Sequence, residues 1–131
     1  MTTALKNVTI VEAPIAASAS DSDYIDLSGA KSGSVYIPSG WTAANLIFLA
    51  KSNATAKPSL TNSDRTTGAR MRSSAGALLK VSGIQTGEAG WYALPAAVFD
   101  APWVALRSAN TGTDAAENQG AARNVMLALT R

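Results

Sequence analysis

The feature that most constrains this chain is a succession of short β-branched or apolar runs, each cut off within a few residues by Gly, Ser, Asn or Pro. Val8-Thr9-Ile10-Val11 is the first, followed by Tyr24-Ile25-Asp26-Leu27 and by Ser34-Val35-Tyr36-Ile37, which Pro38 stops. Asn45-Leu46-Ile47-Phe48-Leu49-Ala50-Lys51 is the strongest, and reads as a central strand. Ala69-Arg70-Met71-Arg72, Ala77-Leu78-Leu79-Lys80-Val81, Trp103-Val104-Ala105-Leu106-Arg107 and Asn124-Val125-Met126-Leu127-Ala128-Leu129-Thr130 complete the series. Many short strands with turn residues between them predict an all-β, antiparallel β-sandwich or barrel. In the last run Val125, Leu127 and Leu129 share one face, so that face is predicted to be core. Thr42-Ala43-Ala44 and the segment from Leu94 to Val98 are read as helical turns, too short to stand as independent helices.

Three stretches read as loops: Ser52 to Gly68, Gly83 to Gly90, and Ala109 to Gly120. No repeat or linker divides the 131 residues, so a single domain over 1–131 is expected, with Met1 to Asn7 as an N-terminal arm. Charged residues make up only 15% of the chain, against about 25% in ordinary globular domains. Surface covered by copies of the chain or by a partner explains that shortage; an ordinary surface of Ala, Ser, Thr and Gly explains it equally.

The chain has no cysteine and no histidine. Disulfide frameworks, thiolate and imidazole metal sites, and Ser-His-Asp or Cys-His nucleophiles are thereby excluded. Asp21, Asp23 and Asp26 faintly suggest a calcium loop, but the loop's sixth-position glycine and twelfth-position glutamate are missing. A side-chain turn leading into a strand is the expected reading. Gly29-Ala30-Lys31-Ser32 lacks the upstream glycine and following helix of a phosphate loop. Glu12, Glu88 and Glu117 are scattered, with nothing to bring two of them across a cleft. No enzyme activity, cofactor or metal is expected.

The net charge of +2 is too small to argue for nucleic acid, and no aromatic residue is interleaved with the basic ones between Arg65 and Lys80. No apolar window of about twenty residues exists, so no membrane partner is expected. Lys6 and Ala17-Ser18-Ala19 imitate parts of an export signal, but Glu12 and Pro14 break the stretch between them.

Contact residues are the remaining candidates. Arg70 and Arg72 alternate, so in a strand both point to one face, either as a patch for an acidic partner or as a solvated surface. Trp41 is expected to cap one end of the sandwich and Trp103 to lie in the core. Trp91 and Tyr92 follow Gly87-Glu88-Ala89-Gly90; packing in the core is the plainer reading, and an exposed anchor for a partner or a sugar ring the sharper one. Within the loop from Ala109 to Gly120, Asn110, Thr111, Asp114 and Glu117 offer polar groups for an interface, against a surface loop with no role.

Two blocks resemble a group of small tailed-phage virion proteins. Ile37-Pro38-Ser39-Gly40-Trp41-Thr42-Ala43-Ala44-Asn45-Leu46-Ile47-Phe48 follows the group's pattern of an apolar residue and then Pro-x-x-Trp-Thr-x-Ala-x-Leu-x-Phe. Near the C-terminus, Leu106-Arg107-Ser108 and Gln119-Gly120-Ala121-Ala122-Arg123, followed by Val125, Leu127 and Leu129, are similar to its closing strands. Members commonly follow the Phe strand with Ser-x-Asp-Gly; here Lys51-Ser52-Asn53-Ala54-Thr55 stands instead, which weakens a sugar-binding reading. The resemblance implies a jelly-roll-like sandwich made in the host cytoplasm and carried on the virion. Its expected role is capsid decoration (cement), clamping neighbouring major capsid subunits as a homo-oligomer, with a trimer favoured. A head-tail or tail component, or a carbohydrate-binding adhesion module, is the alternative.

Overall fold

The structure, a computed structural model, describes residues 7–51 and 68–131. Two antiparallel sheets pack face to face, so the chain is an all-β sandwich. Its strands are β1 (Val8–Glu12), β2 (Ile25–Asp26), β3 (Ser32–Ile37), β4 (Asn45–Lys51), β5 (Ala69–Arg70), β6 (Lys80–Val81), β7 (Gly90–Ala93), β8 (Trp103–Ala109) and β9 (Met126–Thr130). One sheet runs β1-β9-β3-β7; the other runs β2-β8-β4-β5, with β6 also on β4. The chain passes repeatedly from one sheet to the other, so most neighbours in a sheet are distant in sequence.

The core lies between the sheets and is built by strand alternation. Val35 and Ile37 of β3 meet Leu127 and Leu129 of β9, and Val125 lies just before them; all five are almost wholly buried. Leu46 and Phe48 of β4, with Val104 and Leu106 of β8, supply the facing layer. The predicted inward face of the last run is therefore the observed one. Gly33 in β3 is required by close packing: a Cβ there would stand 2.6 Å from the Ala128 carbonyl oxygen and 3.3 Å from Phe99.

Several sequence expectations need correction. The run beginning at Gly90 is a strand, so the predicted loop ends where β7 starts. Trp103 is half-buried on the outward side of β8, because Val104 and Leu106 take the inward phase. Thr42-Ala43-Ala44 forms a bend held by the Trp41 indole, whose Nε1 donates to the Ala44 carbonyl at 3.1 Å, and no helical turn forms. The other helical turn is a 3-10 helix displaced to Ala96–Asp100, with Pro95 before it. The runs around Arg70 and Lys80 shrink to two-residue strands. Met71 N still donates to Phe48 O of β4 at 2.8 Å, and beyond it residues 72–79 leave the sheet and fold back, with Ser73 N donating to Ala77 O at 2.7 Å and Leu79 N to Met71 O at 3.0 Å. The expected arm is described only at Asn7, whose carbonyl accepts from Arg131 N at 3.1 Å. Its remainder, and nearly all of the loop from Ser52 to Gly68, lie outside the described residues.

Replacing Leu127, 2% exposed, with Ala should cost about 2–5 kcal/mol through lost burial and the cavity left behind. Thr130→Ala, on the opposite face of β9, should cost less than about 1 kcal/mol. Equal losses in denaturant melts would refute the packing described.

Candidate functional site

The outer faces of the two sheets differ in character, and that difference marks the candidate contact surface. In the β1-β9-β3-β7 sheet the ladder registers align outward-pointing residues in rows. Glu12, Met126, Tyr36 and Trp91 form one row across the four strands. Ile10, Ala128, Ser34 and Ala93 form the next, and Val8, Thr130 and Ser32 the third. Glu12 is the one charge in these rows. Val8, Ile10 and Trp91 are the exposed large hydrophobic residues among the described residues, at 42%, 54% and 51%, and all three stand on this face. Trp91 rests against Tyr36 with ring centroids 5.3 Å apart and planes tilted by 55°.

The outer face of the other sheet is charged, and several of its charges are paired. Arg107 of β8 grips Asp21 with two bonds, Nε to Oδ1 at 2.7 Å and Nη2 to Oδ2 at 2.8 Å. Burial alone would raise the Asp21 pKa, but the Arg107 fork and the Ser20 hydroxyl outweigh it and hold the carboxyl below its usual range. Lys80 Nζ reaches Asp114 Oδ1 at 3.0 Å, and Lys51 Nζ lies 4.2 Å from the centre of the Tyr24 ring. The charges lie over β4, which buries Ile47 and Leu49 on its outward side as well as Leu46 and Phe48 inward.

The sequence candidates scatter over these surfaces. Trp91 and Tyr92, adjacent in a strand, part company. Trp91 faces outward, while Tyr92 packs against the core and its hydroxyl accepts from Gln85 N at 3.0 Å. The core reading thus holds for Tyr92 and fails for Trp91. Arg70 and Arg72 are both exposed while Met71 between them packs inward. Arg72 donates to the Gly76 carbonyl at 2.9 Å, closing its own turn.

Asn110, Thr111, Asp114 and Glu117 share one loop that bonds mainly to itself. The Asn110 side chain accepts from Gly112 N at 2.8 Å and Thr113 N at 3.1 Å, and donates to Glu117 Oε1 at 3.2 Å. Asp114 takes a positive φ of 60° and holds Lys80, and Thr111 lies in the exposed turn. Of the aspartates considered for calcium, Asp21 is bound to Arg107, and Asp26 Oδ1 accepts from Ser28 N at 2.8 Å, a side-chain turn that leaves β2, whereas the expected one led into a strand. Among the described residues no group of acidic side chains is placed to hold a metal ion.

One assembly was not foreseen from the sequence. Gln119 is fully buried, and its amide is met on both sides by Thr42. Thr42 N donates to Gln119 Oε1 at 2.8 Å, and Gln119 Nε2 donates to Thr42 O at 3.2 Å. Arg123 adds Nε to Gln119 Oε1 and Nη2 to Thr42 Oγ1, both at 3.1 Å. The two blocks that carry the resemblance therefore meet in space at Thr42, Gln119 and Arg123.

No family model matches the chain, and neither does any curated protein or solved structure.

Gln119→Ala should cost about 2–3 kcal/mol, because it strands the Thr42 backbone groups. Asn110→Ala, in the exposed loop, should cost clearly less in the same melts. The folded-state pKa of Asp21 lies below its unfolded value, so its contribution is present above about pH 4 and is lost as pH falls through the folded value. Asp21→Asn should accordingly flatten the acid limb of a stability-against-pH curve. An unchanged limb would show that Asp21 contributes nothing there.

Proposed function

We propose that this chain is a structural protein of a tailed-phage particle, acting as a capsid decoration protein that binds across neighbouring major capsid subunits. The observation that carries the reading is the nearly uncharged outer face of the β1-β9-β3-β7 sheet, with Trp91, Ile10 and Val8 exposed on it. Four strands about 4.8 Å apart and five residues about 3.4 Å apart give a face on the order of 330 Å². That is the size of the largest apolar patch on a typical monomer, which is often functional. It is well short of the roughly 800 Å² per partner of a standard stable interface. A patch of this size suits a protein that binds in many copies, where avidity supplements each weak contact.

The winding supports the resemblance to jelly-roll-like virion proteins. Apart from β4, β5 and β6, which share one sheet, successive strands alternate between β1-β9-β3-β7 and β2-β8-β4-β5, the crossing pattern that a jelly roll uses. Protein contact is favoured over sugar binding by the surroundings of Trp91. Tyr36 and Ala93 stand beside it, with Met126 one strand beyond Tyr36, where a sugar platform needs several hydrogen-bonding groups around the ring.

The test is to mix the protein with particles that lack it and to count bound copies. Wild type should bind in high copy over the head. Trp91→Ala should weaken binding by roughly 30-fold, as the loss of a central aromatic anchor does. Arg70→Ala, on the other sheet, should bind like wild type. Binding confined to the tail or to one vertex would replace decoration by a head-tail role, and full affinity in Trp91→Ala would remove this face from the mechanism.

A further inference from the structure

The four sheet edges are not equally protected. In the β2-β8-β4-β5 sheet, one edge is the two-residue β2, and the other is interrupted by the excursion of residues 72–79 and flanked by Arg70 and Lys80. In the apolar-faced sheet, β7 has four residues, and Pro95 and the 3-10 helix follow it closely. Short strands, interruptions, charges and prolines are the devices that stop sheets pairing edge to edge. β1 carries fewer of them, although Pro14 stands two residues beyond its end, as Pro95 does beyond β7. It is five residues long, continuous and β-branched at four positions, with Glu12 as its single charge.

Its backbone is also set for pairing. Asn7 O accepts from Arg131 N and Ala13 N donates to Val125 O at 2.8 Å, so the residues bonded to β9 are the odd-numbered ones. Hydrogen-bonded and non-bonded pairs alternate along an antiparallel ladder. The N–H and C=O groups of Val8, Ile10 and Glu12 therefore turn away from β9, towards an edge on which no strand pairs among the described residues. The same three residues carry the outward side chains of the strand.

We propose that β1 pairs antiparallel with β1 of a second copy about a twofold axis through Ile10, joining two four-stranded sheets into one of eight. This inference stands apart from the capsid reading and does not depend on it. In this register Ile10 faces its own counterpart and Val8 faces Glu12 of the other copy. About six backbone hydrogen bonds form across the seam, using every outward-turned group of the strand. The two Glu12 carboxylates fall at opposite ends of the seam, on the order of 13 Å apart along the strands, so like charges do not meet. The Val8 and Ile10 side chains of both copies become contiguous on the apolar face. A twofold pair is what this edge builds, in place of the trimer expected from sequence.

Single-cysteine variants test the register, since the natural chain has no cysteine to interfere. Under mild oxidation Ile10→Cys should crosslink to a covalent dimer, its Cα atoms lying about 5.5 Å apart. Val8→Cys and Glu12→Cys should each stay uncrosslinked alone and crosslink with one another when mixed. Without oxidation, sedimentation of the wild-type chain should show the mass rising with concentration towards twice its 13.4 kDa. Ile10→Lys should abolish that rise. Ile10→Pro should abolish it too while leaving the thermal melt cooperative, because the Ile10 N–H is not used by β9. A constant mass of one chain, a threefold mass, equal crosslinking of Val8→Cys and Ile10→Cys, or an undiminished dimer in both Ile10 variants would each overturn the proposal. Loss of capsid binding in Trp91→Ala with the dimer intact would separate the two surfaces.

Discussion

The buried amide of Gln119 is the constraint around which one end of the sandwich is organised. A side chain with both a donor and an acceptor is placed where the bend after β3 leaves two backbone groups unpaired, and it satisfies both. Burial without those partners would cost more than the bonds contribute, so the contact admits little slack. It fixes the bend that carries buried Trp41 and starts β4 in one sheet. It also fixes the segment through Arg123 that leads into β9 in the other. The two sheets are thereby held in register at that end by hydrogen bonds as well as by apolar packing.

With the interior arranged this way, the two outer surfaces carry different loads. Over β4 and β8 the charges are tied to one another, Arg107 with Asp21 and Lys80 with Asp114, and Ile47 and Leu49 are buried beneath. Over β9 and β3 nothing of the kind occurs, and small or apolar side chains stand in rows with a lone carboxylate at one corner. A low total charge is thus not spread evenly: it is concentrated on one side, and the other side is left with the properties of an interface. The composition left covered surface and an ordinary uncharged surface equally open, and it could not show this division, because location depends on strand order.

Most of the fold was legible because alternation is a local property. Val125, Leu127 and Leu129 declare their inward phase within a few residues, whereas the unbroken apolar run of β4 marks a central strand without showing its phase. β7 was not legible, because Gly90-Trp91-Tyr92-Ala93 follows a glycine-rich stretch and becomes a strand only by pairing with β3. The same pairing sends Trp91 outward and Tyr92 inward, which the adjacent letters cannot reveal. The loop candidates were read by polarity, yet Asn110 and Glu117 direct that polarity at each other. Gln119 was missed for the opposite reason: a lone glutamine carries no pattern, and its partner lies 77 residues away.

The pairing of Asn7 with Arg131 has a mechanical side. β1 and β9 are antiparallel neighbours, and these two residues sit together at one end of their ladder. Tension entering the domain through these residues would open the ladder one rung after another, as a zipper opens, and would never stretch all the rungs at once. A sandwich strained in this way yields at β1 under small force while β9 keeps its bonds to β3. A second ladder on the free side of β1 would change that: the strand would then be gripped from both flanks, and peeling it would mean breaking two rows of bonds together.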